Sequence, residues 1–171
     1  MTSDADLSTR WLSPEQRQVW LDMVRVLTRL PASLDAQLER DAGMNFYEYH
    51  VLSMLSETEQ RTLSVSRLAE LTSSSVTRLS NVAKRLEARG LLARVTDPAD
   101  RRVTLATLTD AGLAAVTAAA PRHVTIVRRL IVDAVTPAQL RQLQAIQQRI
   151  LAELDPGAVT RPEWLDSEPA P

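Results

Sequence analysis

The chain has 171 residues, with 20 Lys+Arg against 21 Asp+Glu and a formal net charge of −1, so its bulk charge argues for no polyanionic partner. It has no cysteine, which excludes disulfides, thiolate metal sites and thiol redox sensing, and no apolar run reaches membrane-spanning length. With 44% hydrophobic residues, 4 glycines and 1 Phe, a mainly helical protein is expected: one well-buried domain, alone or with a helical oligomerisation layer.

Residues 1–12 are polar and predicted to be loose, with Trp11 and Leu12 as the residues able to dock. The opening MTSDADLSTR lacks the apolar core of a signal peptide, so a cytoplasmic location is expected. Ser13-Pro14-Glu15-Gln16 starts a helix: Ser13 can cap, Pro14 suits the first helical position and Gln16 closes a capping box. Apolar residues at Val19, Met23, Val26, Leu27, Leu30, Leu34 and Leu38 carry this helix toward Gly43, with Pro31 expected to kink it. A helix of more than about 25 residues is long against an average of about 11, and predicts contact with a partner chain.

Asn45 and Glu48 form a second capping box, with Met44 placed to staple against Tyr49, and a second helix follows through Leu52 and Leu55 to about Ser56. Ser64 opens a third, short helix with Val65, Leu68 and Leu71 inward. Thr72-Ser73-Ser74 turns the chain into a fourth helix, whose stripe of Val76, Leu79, Ala83 and Leu86 must face a core. Its remaining faces carry Ser75, Thr77, Arg78, Ser80, Asn81, Lys84 and Arg85. Short hydroxyls, an amide and guanidinium groups are the set that reads base edges and grips phosphates. A short helix, a tight turn and a helix with such a face make a helix-turn-helix whose second member is a recognition helix.

Gly90 stops that helix, and Leu91–Thr96 and Arg102–Leu108 read as strands around the turn 97–101, the two strands of a β-wing. Charge by segment agrees with a reading head here. Residues 1–72 sum to −4 and residues 103–171 to −1, whereas residues 73–102 hold 7 Lys+Arg and 3 Asp+Glu, a net of +4. A merely solvated helix face would leave the adjoining Arg-rich turn unexplained. Thr109 caps a fifth helix lined by Leu113, Val116, Val124, Val127, Leu130 and Ile131, with Pro121 expected to bend it. Thr136 and Gln139 launch a last helix with Leu140, Leu143, Ile146, Ile150 and Leu154 inward, and Asp155-Pro156-Gly157 ends it. The tail 156–171 is predicted to be loop, with Trp164 and Leu165 able to pack. The terminal helices, too long and too apolar to stand alone, predict a homodimer.

This order of elements over residues 13–154 resembles the MarR family of bacterial transcriptional regulators. The family's wing pattern is Asp-x-Arg followed some residues on by Leu-Thr, and Asp100, Arg102, Leu108 and Thr109 match it. Leu68-Ala69, Arg78, Leu86-Glu87 and Gly90-Leu91 are family-like in spacing. The resemblance implies a mainly α (α+β winged helix) fold. A first dimerisation helix would span 13–44, the winged helix-turn-helix 45–108, and C-terminal dimerisation helices 109–155. It implies a ligand-responsive repressor that binds double-stranded DNA at a pseudo-palindromic operator. Ser74, Ser75, Thr77, Arg78, Asn81, Lys84 and Arg85 would lie on or beside the major groove. Arg94, Asp100, Arg101 and Arg102 would form the wing contact, with Arg102 in the minor groove and Asp100 bracing an arginine. Ser73-Ser74-Ser75 stands where the family often has a Gly and an apolar residue, so the capping serine is open, as is the choice between Arg101 and Arg102 at the wing tip.

A small aromatic or phenolic effector is implied by the same resemblance, and Trp20, His50 and His123 are the candidate contacts. The bland reading, Trp20 as core and each His as a partly exposed helix residue, is preferred for all three. Two distant histidines without cysteine offer no metal-ligand spacing, and no cofactor is expected. No phosphate loop, nucleophile elbow or convincing carboxylate pair is present, so an enzyme is not expected. The contrasting class is a winged helix used as a protein-interaction module, which would not need the Arg-rich wing.

Overall fold

The computed structural model describes residues 9–155; most of the predicted N-terminal segment, and the tail from 156 on with Trp164 and Leu165, lie outside the described residues. Helix starts are fixed by side chains that accept otherwise free amide hydrogens, and the predicted caps all form. Gln16 N–H donates to Ser13 Oγ at 3.2 Å while Gln16 Oε1 accepts from Ser13 N–H at 2.9 Å. Reciprocal boxes also close at Asn45/Glu48 and Thr136/Gln139. The resulting helices are α1 (Pro14–Ala42), α2 (Phe46–Ser56), α3 (Val65–Leu71), α4 (Val76–Ala88), α5 (Asp110–Val127) and α6 (Pro137–Leu154). α1 runs through Pro31 and α5 through Pro121 without a break in the helix. A π-helical segment, Arg128–Val132, continues α5. No helix of the described residues is long and apolar enough to cross a membrane.

Three strands complete the fold: β1 (Thr62–Ser64), β2 (Leu92–Thr96) and β3 (Thr104–Leu108), in the antiparallel order β1-β3-β2. β2 and β3 are the predicted wing, in register from Leu92 opposite Leu108 to Thr96 opposite Thr104. The second strand begins two residues later than predicted, because Arg102 and Val103 belong to the turn: Asp97 N–H donates to Val103 O and Val103 N–H to Asp100 O, both at 2.9 Å. β1 is not anticipated by the sequence. Its three residues are too few to show alternation, and it forms because β3 offers a free edge, Thr62 pairing with Thr107.

The chain divides into two units within α1, at Ser33–Leu34. The first unit consists of the early turns of α1, and its apolar residues are largely exposed: Trp20 53%, Val26 57% and Leu27 64%. The reading of Trp20 as core is therefore corrected.

In the second unit, Leu38, Met44, Leu52, Leu55, Leu68, Leu79, Leu86 and Leu92 are buried in one cluster with Val116 and Ala119 of α5. Met44 and Tyr49 both enter it, as a staple across the α2 cap requires. α4 buries Leu79, Val82, Ala83 and Leu86. Val76 does not join that stripe: as the first residue of α4 it overhangs the core and is half exposed. In α5 the buried stripe is Gly112, Val116, Ala119 and His123, while Val124 and Leu130 are exposed. α6 buries none of its residues, and Ile146, Ile150 and Leu154, predicted inward, face out. Those positions have the periodicity of a buried face without a partner for it among the described residues.

Candidate nucleic-acid interface

The turn before α4 is built entirely from hydroxyl residues, each with a separate task. Thr72 Oγ1 donates back to Leu68 O at 2.7 Å. Ser73 takes a left-handed conformation, φ +49°, with its N–H on Glu70 O at 3.0 Å and Ser74 N–H on Ala69 O at 2.9 Å. That pair of bonds is the Schellman stop, whose left-handed position favours glycine. The serine run thus keeps the geometry of the Gly-containing turn that it replaces. Ser73→Gly should raise stability by about 0.5–1 kcal/mol by removing this strain, as read from urea unfolding midpoints. A loss of stability would contradict the strain argument.

Ser75 is the cap: its Oγ accepts from Arg78 N–H at 3.2 Å. Ser74, by contrast, is turned inward, and its hydroxyl meets the Tyr47 hydroxyl of α2. Thr77, Asn81 and Lys84 follow one another along the exposed face of α4, and Arg78 lies on its flank. α4 then closes on a second Schellman stop, with Gly90 at φ +71°, Gly90 N–H on Glu87 O and Leu91 N–H on Leu86 O. This stop turns the chain into β2, whose Arg94 bonds back to Glu87 of α4.

The predicted cations divide into two groups. Arg85 Nε and Arg89 Nη1 donate to the buried Glu48 carboxylate of α2 at 3.2 and 3.3 Å. Arg94 grips Glu87 through its backbone N–H and its guanidinium, which holds the Glu87 carboxyl below the usual range. Arg94 therefore spends much of its donor capacity within the fold, whereas Arg85 commits only Nε and stays more than half exposed. Among the described residues, Arg78, Lys84 and Arg101 have no carboxylate partner. Arg102 stands 90% exposed at the wing, with its Nε and Nη2 on Asp100 Oδ1 and Oδ2 at 3.1 and 3.0 Å. This fork lowers the Asp100 carboxyl and raises the Arg102 guanidinium relative to their ordinary values. Bracing of an arginine by Asp100 is thus seen, and Arg102 is the arginine braced.

The structure brings two of the three ligand candidates together. The Phe46 ring lies 6.0 Å from His50 and 5.9 Å from His123, and Tyr49 lies 4.5 Å from His123. His123 is buried, with Nδ1 3.4 Å from Gln37 Oε1, which corrects its reading as a partly exposed residue. Burial lowers both imidazole pKa values, and at His123 the neighbouring His50 adds to the effect. His50 is half-buried. Trp20 lies in the first unit and is exposed.

Three residues of this region escape sequence reasoning: Tyr47 and Glu48, which reach α4 from α2, and Val76. The cap role of Glu48 is legible, but its ion pairs join residues 37 and 41 positions away. Among the described residues, no group of His, Cys, Asp or Glu is arranged to hold a metal ion.

A family model of the MarR family matches residues 42–103, which span the helix-turn-helix and most of the wing. The chain is 37% identical to Sco3205 of Streptomyces coelicolor, a MarR family transcriptional regulator solved in complex with DNA, with a TM-score of 0.85 over 86% of this chain and 92% of that one. It is 34% identical to AbsC, a MarR family transcriptional regulator of the same organism, with a TM-score of 0.82 over 85% of this chain and 98% of that one. Staphylococcus aureus MepR, solved as a DNA complex, shares the fold at 21% identity, with a TM-score of 0.72 over 79% of this chain and 97% of that one. A search of curated proteins gives no match. Fold, wing pattern and extent of likeness agree, and the chain belongs to the MarR family of transcriptional regulators.

Proposed function

We propose that the chain binds double-stranded DNA as a homodimer at a pseudo-palindromic operator and regulates transcription by doing so. The observation that carries this reading is a set of exposed polar groups: Thr77, Arg78, Asn81 and Lys84 on α4, with Arg101 and the braced Arg102 at the wing. α4 would enter the major groove and the wing the adjacent minor groove. Residues 13–44 and 109–155 would form the dimerisation layer around the winged helix of 45–108. The exposed apolar faces of α1 and α6 support that division. Two-fold symmetry would set the two copies of α4 about 34 Å apart, one turn of DNA. The DNA-bound relative Sco3205, at 37% identity, favours this reading over a protein-interaction module.

The test is fluorescence anisotropy on a duplex recovered from random-sequence DNA by selection on the wild-type protein. Two chains should bind per duplex, and affinity should fall on the order of 10³-fold between 50 and 200 mM salt if six or more phosphates are contacted. Arg102→Ala should weaken binding about tenfold. Failure to recover any duplex that the folded protein binds at low salt would sink the proposal in favour of a protein partner.

A further inference from the structure

We propose that Tyr47 of α2 is a positioning residue for DNA recognition: its ring holds the Arg78 guanidinium in place. This rests on the DNA-binding reading above and names a residue outside α4 and the wing on which that reading depends. Arg78 Cζ lies 4.5 Å from the centre of the Tyr47 ring. The Tyr47 hydroxyl donates to Ser74 Oγ and lies 3.1 Å from Thr72 Oγ1, so one side chain contacts both the turn and the first turn of α4.

The choice of partner is informative. Arg85 and Arg89, near the other end of the same helix, are held by the Glu48 carboxylate, which offsets their charge. Arg78 is held by a neutral ring. A ring restrains a guanidinium from its flat face through its quadrupole and leaves the charge intact. Among the described residues no carboxylate takes the N–H donors of Arg78, so they stay available to a base edge or a phosphate. Tyr47 and Glu48 are adjacent in α2, yet one contacts an arginine through a neutral ring and the other pairs with two through a carboxylate. Neighbouring residues thus hold the arginines of α4 in two different ways. A loose Arg78 would have to be ordered at the moment of binding, whereas a stacked one is ordered in advance.

Two measurements test this. In the DNA-free protein, NMR should find the Arg78 δ-methylene protons shifted upfield by the Tyr47 ring. That shift should persist in Tyr47→Phe and vanish in Tyr47→Leu, or in Tyr47→Met should the leucine variant not fold. In anisotropy titrations on the selected duplex, Tyr47→Phe should bind nearly as wild type and Tyr47→Leu about threefold more weakly. The double variant Tyr47→Leu/Arg78→Ala should bind no more weakly than Arg78→Ala alone, because the ring acts through Arg78. If Arg78→Ala weakens binding but the two losses simply multiply, the role of Tyr47 is overturned while the DNA-binding reading stands. If Arg78→Ala leaves affinity unchanged, both the positioning role and the placing of Arg78 at the DNA are overturned. Unshifted Arg78 protons in the wild type would overturn the stacking itself.

Discussion

Gly112→Ala should destabilise the protein by about 3 kcal/mol or more, at the upper end of what overpacking does. A Cβ at Gly112 would lie 2.0 Å from Leu91 O and 2.7 Å from Leu108 Cδ1. Leu108 could yield a little as a side chain, but Leu91 O is backbone. It accepts from Thr109 N–H at 3.3 Å, and Leu91 N–H is committed to Leu86 O at 3.0 Å. The carbonyl cannot retreat without unseating the junction of α4, β2 and α5. For a domain of this size the loss corresponds to a fall of roughly 10 °C in the thermal midpoint. Gly43→Ala is the control: Gly43 has φ +61° and nothing within 4 Å of its Cβ position, so backbone strain alone should cost about 1 kcal/mol. Thermal and urea unfolding of both variants decide the matter. A Gly112→Ala variant no worse than Gly43→Ala would show that the junction is plastic.

The second large effect is expected at Glu48. Its carboxylate is buried and receives Arg85, Arg89 and the Asn45 N–H, so it caps α2 and ties that helix to α4 with the same two oxygens. Removing one partner of a buried ion pair commonly costs about 3–5 kcal/mol. Both arginines here are partly exposed and would regain water, which reduces the expectation for Glu48→Ala to about 2–3 kcal/mol. Glu48→Gln, which keeps an acceptor for Asn45, should lose less. Urea unfolding of Glu48→Ala, Arg85→Ala/Arg89→Ala and the triple variant should show strong non-additivity. Additive losses would mean that the carboxylate serves only as a cap.

The caps and the wing pattern were legible because they are local. Asn45 with Glu48, Thr136 with Gln139, and Asp100 with Arg102 are each spaced closely enough to read along the chain. The failures are tertiary. Residues 73–102 carry a net charge of +4 in the sequence, but Glu48 reaches in from outside that window and Arg94 is held by Glu87 within it. The uncommitted basic surface is therefore smaller than the charge count implies. Gly112 sits in an alanine-rich helix where glycine looks incidental, and only the approach of Leu91 O explains it. The burial of His123 was readable in principle. Gly112, Val116, Ala119 and His123 recur at helical spacing, a stripe missed because small residues were not weighed as core. The opposite holds for α6, whose leucines and isoleucines have a buried periodicity and no partner among the described residues.

The turn between α3 and α4 has a consequence for how chain length can vary. Thr72 closes one helix, Ser73 supplies the left-handed stop, Ser74 meets Tyr47 and Ser75 opens the next helix. No residue there is a spacer, so a single insertion or deletion would forfeit a cap or a stop and rotate α4 about its own axis by roughly 100° per residue. The wing turn between Thr96 and Thr104 differs, since its bonds lie almost entirely within the turn itself. Added residues there lengthen an exposed tip and leave the core untouched. Of these two turns, the wing is thus expected to tolerate insertions and deletions, while the helix-turn-helix is locked in length as well as in conformation.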